Sequence, residues 1–206
     1  MAYLKTNIDL SVKNMYTHGD KSHGEHTNRG ERYIDPLNKG TEILLSKLEK
    51  INAPIMTHWE VYAWDRDWPR FRKVYLNHRN IKFIIPHMAF GSPEQVDLIF
   101  SNNPNVYMTL SKKLKKKGGY SDSSKQARPG SSILDDNKII RSEWKPILMK
   151  YQDRILFSTY AHKAHRWKKY KKIVKMYRKL ADQLPVEVAK KISYLNAEKL
   201  YGVYLE

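Results

Sequence analysis

From residue 41 onward, apolar positions recur at two alternating periods. In TEILLSKLEKI (41–51), Ile43, Leu44, Leu48 and Ile51 share one side of a helix, and the short apolar run APIMTHW (53–59) then reads as a buried strand. WPRFRKVYLNHR (68–79) predicts a second helix with Pro69 in its first turn, and IKFIIPH (81–87) a second strand. SPEQVDLIFSNN (92–103) carries a helix start, with Ser92 as N-cap, Pro93 at the first helical position and Gln95 at the capping-box position. NVYMTLS (105–111) is again a strand, SEWKPILMKY (142–151) a helix and RILFST (154–159) a strand. The remainder is helical in RWKKYKKIVKMYRKL, PVEVAKKI and YLNAEKLYG.

Strand followed by helix, four times over, is the pattern of βα units that build a parallel sheet. NIDLSVKNMY (7–16) is the candidate for a fifth, earlier strand, and no internal repeat is visible. Four or five strands cannot close an eight-stranded barrel. The fold class is therefore α/β with a parallel sheet, either open or the second half of a (β/α)8 barrel. Residues 111–130, KKLKKKGGYSDSSKQARPG with its flanks, form a low-complexity basic loop expected to be exposed and mobile.

Composition sharpens this in three respects. The 206 residues, 41% of them hydrophobic, suffice for one core, so 1–206 reads as a single domain. With no cysteine, disulfides, thiolate metal sites and thiol nucleophiles are excluded, which fits the cytoplasm or another reducing compartment. The first residues, MAYLKTNIDLSVKN, lack the apolar run of a signal peptide, and no stretch approaches the length of a membrane span. The charge is the outlier: 38 Lys and Arg against 21 Asp and Glu give +17, which reads first as lysine-rich solvated helix faces and second as a surface for polyanions.

Three histidines stand where parallel α/β proteins place their chemistry, at or just beyond the carboxyl ends of strands. His58 ends PIMTH, His87 ends FIIPH, and His162 follows ILFSTYA. His58 and His87, on successive strands, can converge on one metal. Glu60 and Asp65 lie beside His58 and are read as pairing with Arg66 or Arg70. His18, His23 and His26, among Gly, Asp and Asn, are read as a hydrogen-bonded polar loop at the barrel mouth, and Lys13 as a surface lysine. In RWKKYKKIVKMYRKL, Trp167, Tyr170, Val174, Tyr177 and Ala181 share a face expected to be core. Lys168, Lys169, Lys171, Lys172, Lys175, Arg178 and Lys179 occupy the rest of that helix.

The segments GDKSHGEHTNRGERYIDP, PIMTHWEVYAWDRDWPRF, FIIPHMAFGSPEQV, NVYMTLSKK, SEWKPILMKYQDRILFSTYAHKAHRWKKY and the ending LPVEVAKKISYLNAEKLYG, in this order, resemble the C-terminal half of the amidohydrolase-2 family of the metal-dependent hydrolase superfamily. The resemblance implies a distorted (β/α)8 barrel, here about strands 4 to 8 with their helices, and a divalent metal, often zinc, that activates a water. It places His58 at the fifth-strand metal ligand and His87 at the sixth-strand histidine. Two requirements fail. No His-x-His pair stands on an initial strand, and where the family carries Ser-Thr-Asp-Ala-His this chain has Ser158, Thr159, Tyr160, Ala161 and His162. A phenol is a poor proton shuttle at neutral pH and an unusual zinc ligand. The implied zinc is therefore expected to bind weakly or not at all to this chain alone, and a missing N-terminal half or a second copy is the expected partner. Two readings follow: a metal-dependent hydrolase fragment or degenerate enzyme, or a basic pseudoenzyme that binds RNA or scaffolds an assembly through Lys112, Lys113, Lys115, Lys116, Lys117, Lys168, Lys169 and Lys172.

Overall fold

A computed structural model describes residues 35–59, 61, 64–111, 132–159 and 167–204, together with the backbone of 23–27. Five parallel strands, β1 (His23–Thr27), β2 (Ile55–His58), β3 (Phe83–Ile85), β4 (Val106–Thr109) and β5 (Ile155–Leu156), lie side by side in sequence order. Helices α1 (Lys39–Lys50), α2 (Trp64–Asn77), α3 (Pro93–Asn102) and α4 (Lys145–Lys150) connect them, and α5 (Tyr170–Ala181), α6 (Val186–Lys190), a wide turn at Lys191–Leu195 and α7 (Asn196–Tyr201) follow. Strand order equal to chain order, with every pair parallel, is the arrangement of consecutive βα units in a partial barrel. Among the described residues the sheet runs from β1 to β5 without closing.

The core forms between sheet and helices. Phe83 packs on Tyr75 of α2, and Thr57 lies 3.4 Å from the Tyr75 hydroxyl, so these strand residues face the helix layer. Alternation then sends Met56, His58, Ile84, Tyr107, Thr109 and Leu156 to the opposite, inner face, and the register Met56↔Ile84 and Ile84↔Tyr107 aligns them across the sheet. Met56 and Tyr107 are half-exposed in otherwise buried strands.

The two ends of the strands use their buried polar groups differently. At the amino ends, side chains close the carbonyls that terminate each helix. The amide of Asn105 donates to the carbonyls of Tyr75, His78 and Ile81 after α2, and the guanidinium of Arg154 donates to those of Phe100 and Asn103 after α3. Asn196 does the same for Gln152 and Ile155. These contacts are structural. At the carboxyl ends the buried polar residues are His58, His87, Thr109 and Ser111, which is where a parallel barrel puts its chemistry.

Several expectations are corrected. The polar segment around His23 and His26 is not a loop: His23–Thr27 is the strand beside β2, registered Thr27↔His58, with an irregularity between His23 and His26. Its pairing with β2 overrides a composition that shows no apolar alternation. The proposed earlier strand at 7–16, like Lys13 and His18, lies outside the described residues, as does nearly all of the 111–130 loop. α2 begins at Trp64 rather than Trp68, which puts Pro69 inside the helix. Trp64 stacks on Trp68, and Trp68 on Trp59, so aromatic packing extends the helix backwards. The Ser92–Gln95 capping box is present as expected, with Pro93 opening α3. No helix among the described residues is long and apolar enough to cross a membrane.

Candidate functional site

His58 is the last residue of β2, and the sequence fixes what lies behind it. Trp59 follows, fully buried; its indole stacks on Phe71, and its Nε1 donates to the Tyr75 hydroxyl at 2.9 Å. Burial pushes the Tyr75 phenol far above its ordinary range, so that hydroxyl serves as a fixed neutral hydrogen-bonding group. This aromatic block anchors the chain at the carboxyl end of β2 and leaves His58 buried on the inner face.

β3 delivers His87 by an unusual route. Immediately after Ile85 the chain makes a tight left-handed turn, with φ of 60° at His87, 49° at Met88, 52° at Ala89 and 54° at Phe90. None of these is glycine, and such a conformation costs roughly 1–2 kcal/mol per residue. Burial of all five residues from Pro86 to Phe90 opposes that cost, and Gly91 closes the turn by donating to the Met88 carbonyl at 2.9 Å. The turn leads directly into the Ser92 cap of α3. Its product is a histidine ring held inside the protein.

That ring is oriented by β4. The backbone N–H of His87 donates to Thr109 Oγ1 at 3.3 Å, and Nδ1 lies 2.9 Å from the Ser111 carbonyl oxygen and 2.8 Å from the Ser111 hydroxyl. Thr109 Oγ1 and Ser111 Oγ are 2.8 Å apart, which ties the network together. A carbonyl only accepts, so the contact with the Ser111 carbonyl assigns the proton to Nδ1. This is how metal-binding histidines are usually preset: the second nitrogen is spent on a backbone oxygen. The His58 and His87 rings meet edge to face, centroids 5.0 Å apart at an interplanar angle of 72°.

The structure therefore brings His58 and His87 together. Tyr160, His162 and Glu60 lie outside the described residues. Arg66 forms a two-pronged pair with Asp67, at 2.7 and 2.9 Å, and Arg70 reaches Asp35 at 3.6 Å; the expected pairing through Glu60 falls on a residue outside the described ones. Asp67, Thr109 and Ser111 were missed by sequence reasoning. Thr109 and Ser111 had a signal: two hydroxyl residues spaced i, i+2 at the end of an apolar strand fall on one face, beside whatever the neighbouring strand presents. Asp67 had none, because a carboxylate in a helical first turn reads as solvated.

Two imidazoles are part of a donor set and not a whole one. Among the described residues no three His, Cys, Asp or Glu side chains cluster as a metal would require, and stable tetrahedral zinc sites take at least three protein ligands. The described residues do not by themselves fit a metal centre, and no chemical step is derived through one.

No protein-family model matches the sequence, and no curated protein matches it. Solved structures do. An uncharacterized TIM-barrel protein from Bordetella bronchiseptica superposes with a TM-score of 0.66 at 13% identity, covering 93% of this chain and 60% of its own. A protein described as a 2-pyrone-4,6-dicarboxylic acid hydrolase of Pseudomonas putida gives 0.61 at 12% identity, covering 96% of this chain and 68% of its own. The 2,6-dihydroxybenzoate decarboxylase from Rhizobium gives 0.61 at 13%, covering 97% and 68%. Likeness at this identity establishes a shared fold. The chain spans about two thirds or less of these barrels.

Proposed function

We propose that this chain is the C-terminal half of an amidohydrolase-like barrel whose rim keeps two of its metal-binding histidines, His58 and His87, and that it does not run hydrolytic chemistry by itself. The observation that carries this reading is the preset His87 ring, with Nδ1 committed to the Ser111 carbonyl, in contact with His58 at the carboxyl end of the adjacent strand. Packing alone does not call for a strained left-handed turn that delivers an imidazole to that place. The fold of the solved barrels supports the same reading, because structures that it matches include one described as a hydrolase and one described as a decarboxylase. Tyr160, where the sequence resemblance expects an aspartate, argues against proton shuttling by this chain alone.

The test is metal retention. Zinc added in excess and removed by extensive dialysis should leave the protein well below one equivalent by elemental analysis. Stoichiometric retention that is lost in His58→Ala would show a complete site and contradict the reading.

Among the described residues the sheet has β1 and β5 at its two edges. Edges of this kind pair with other chains unless blunted, and in this reading the occupant is the other half of the barrel or a second copy of this chain. Light scattering at micromolar concentration should report a species larger than one chain. A stable monomer would mean that the edges are covered from within.

A further inference from the structure

The amphipathic reading of the last basic helix expected Trp167 and Tyr170 in the core. They are outside it. Trp167 is 62% exposed and Tyr170 38%, and their rings stack on each other with centroids 5.5 Å apart and planes inclined by 19°. Docking of α5 begins at Ile173 and Met176, half-buried against the core, and is completed by the buried Tyr177 and Leu180, with Tyr177 also donating to the Ser158 carbonyl. As a result all six residues of Trp167, Lys168, Lys169, Tyr170, Lys171 and Lys172 are exposed together. Four exposed lysines are interleaved in sequence with one aromatic stack.

We propose that this block, Trp167 to Lys172, is a binding surface for single-stranded nucleic acid, in which a base stacks on the open ring face and the lysines contact the flanking phosphates. The aromatic pair and the lysines together identify the ligand. Lysines alone would fit any polyanion, but an exposed aromatic pair held ready-stacked adds a flat π surface that a duplex, with its bases already paired, does not use. A membrane surface fits less well: a helix that lies in a bilayer interface needs an apolar face free along its length, and α5 buries Tyr177 and Leu180 in the core. The protein's formal charge of +17 supplies long-range attraction to the same class of ligand. This surface shares no residue with the His58–His87 rim and does not depend on the reading given to that rim.

The experiment uses the full chain and fluorescein-labelled, unstructured 12-nucleotide RNA, the DNA strand of the same sequence and its duplex, with anisotropy measured across a range of salt. Both single strands should bind more tightly than the duplex. Trp167→Ala and Tyr170→Ala should each weaken single-strand binding by roughly 5- to 150-fold, the range for losing one stacked base, and leave the salt dependence unchanged. Replacing Lys168, Lys169, Lys171 and Lys172 by Gln should flatten the log-log salt slope by about 3, at roughly 0.7 per released counterion. Trp167→Phe keeps a π face and should bind within a few-fold of wild type. Trp167→Leu keeps apolar bulk without one and should lose as much as alanine, which separates stacking from folding. Equal affinity for duplex and single strands, wild-type binding by Trp167→Leu, or Trp167-dependent binding to phosphatidylserine vesicles without a matching effect on the strands would overturn the proposal.

Discussion

At the scale of single residues, local surroundings decide what each side chain can do. His87 is the plainest case, because its neighbours fix its backbone, its ring plane and its tautomer. Asp97 shows the same principle on the surface: its carboxylate accepts from Lys150 Nζ at 2.7 Å and from the Tyr151 hydroxyl at 2.7 Å. The hydrogen bond from Lys150, and after it the one from Tyr151, hold the Asp97 carboxyl below the usual aspartate range. A group whose folded value is depressed contributes stability at pH above its unfolded value and loses it as pH falls through the folded value. Asp97→Asn should therefore unfold at lower denaturant than wild type near neutrality, with the two midpoints converging on acidification through and below the aspartate range. The gap should be small, since both partners are substantially exposed. A gap independent of pH would assign the contact no electrostatic role. His58 and His87 were legible in the sequence because each terminates an apolar run. The left-handed turn was not, because nothing in PHMAF departs from ordinary composition and no glycine marks the positive φ values.

At the scale of elements, periodicity was a sound guide wherever one face is buried. β2, β3, β4 and β5 all fall within their apolar runs, and the capping box located the start of α3 to the residue. The failures have distinct causes. HGEHT is a strand because β2 offers it a ladder, and no pattern in five residues containing glycine and three ionisable side chains announces that. α2 reaches back to Trp64 because Trp59, Trp64 and Trp68 associate, a tertiary effect that caps and propensities do not record. The stripe through Trp167, Tyr170, Val174, Tyr177 and Ala181 is real, but periodicity identifies a face without saying how far along the helix docking extends. Here it starts at Ile173, which is what leaves the aromatic stack of Trp167 and Tyr170 in water.

At the scale of the whole molecule, the five described strands run from β1 to β5 without closing, and this governs the site as well as the surface. Five parallel strands in chain order present the inner face that carries His58, with Met56 and Tyr107 half-exposed beside it. An apolar recess lined by Phe157, Val174, Tyr177, Leu184 and Ile192 opens between the end of β5 and α5. A strand count taken from the sequence already excluded a closed barrel, whereas the convergence of the two histidines needed the register of β2, β3 and β4. That convergence is the central claim, and imidazole-selected long-range nitrogen–proton NMR during a zinc titration tests it most directly. The metal-free spectrum should show His87 as the Nδ1–H tautomer, and added zinc should move the His58 and His87 ring signals together, in fast exchange, at one apparent affinity. An Nε2–H tautomer at His87, or zinc that shifts other histidines and leaves this pair unmoved, would contradict the account.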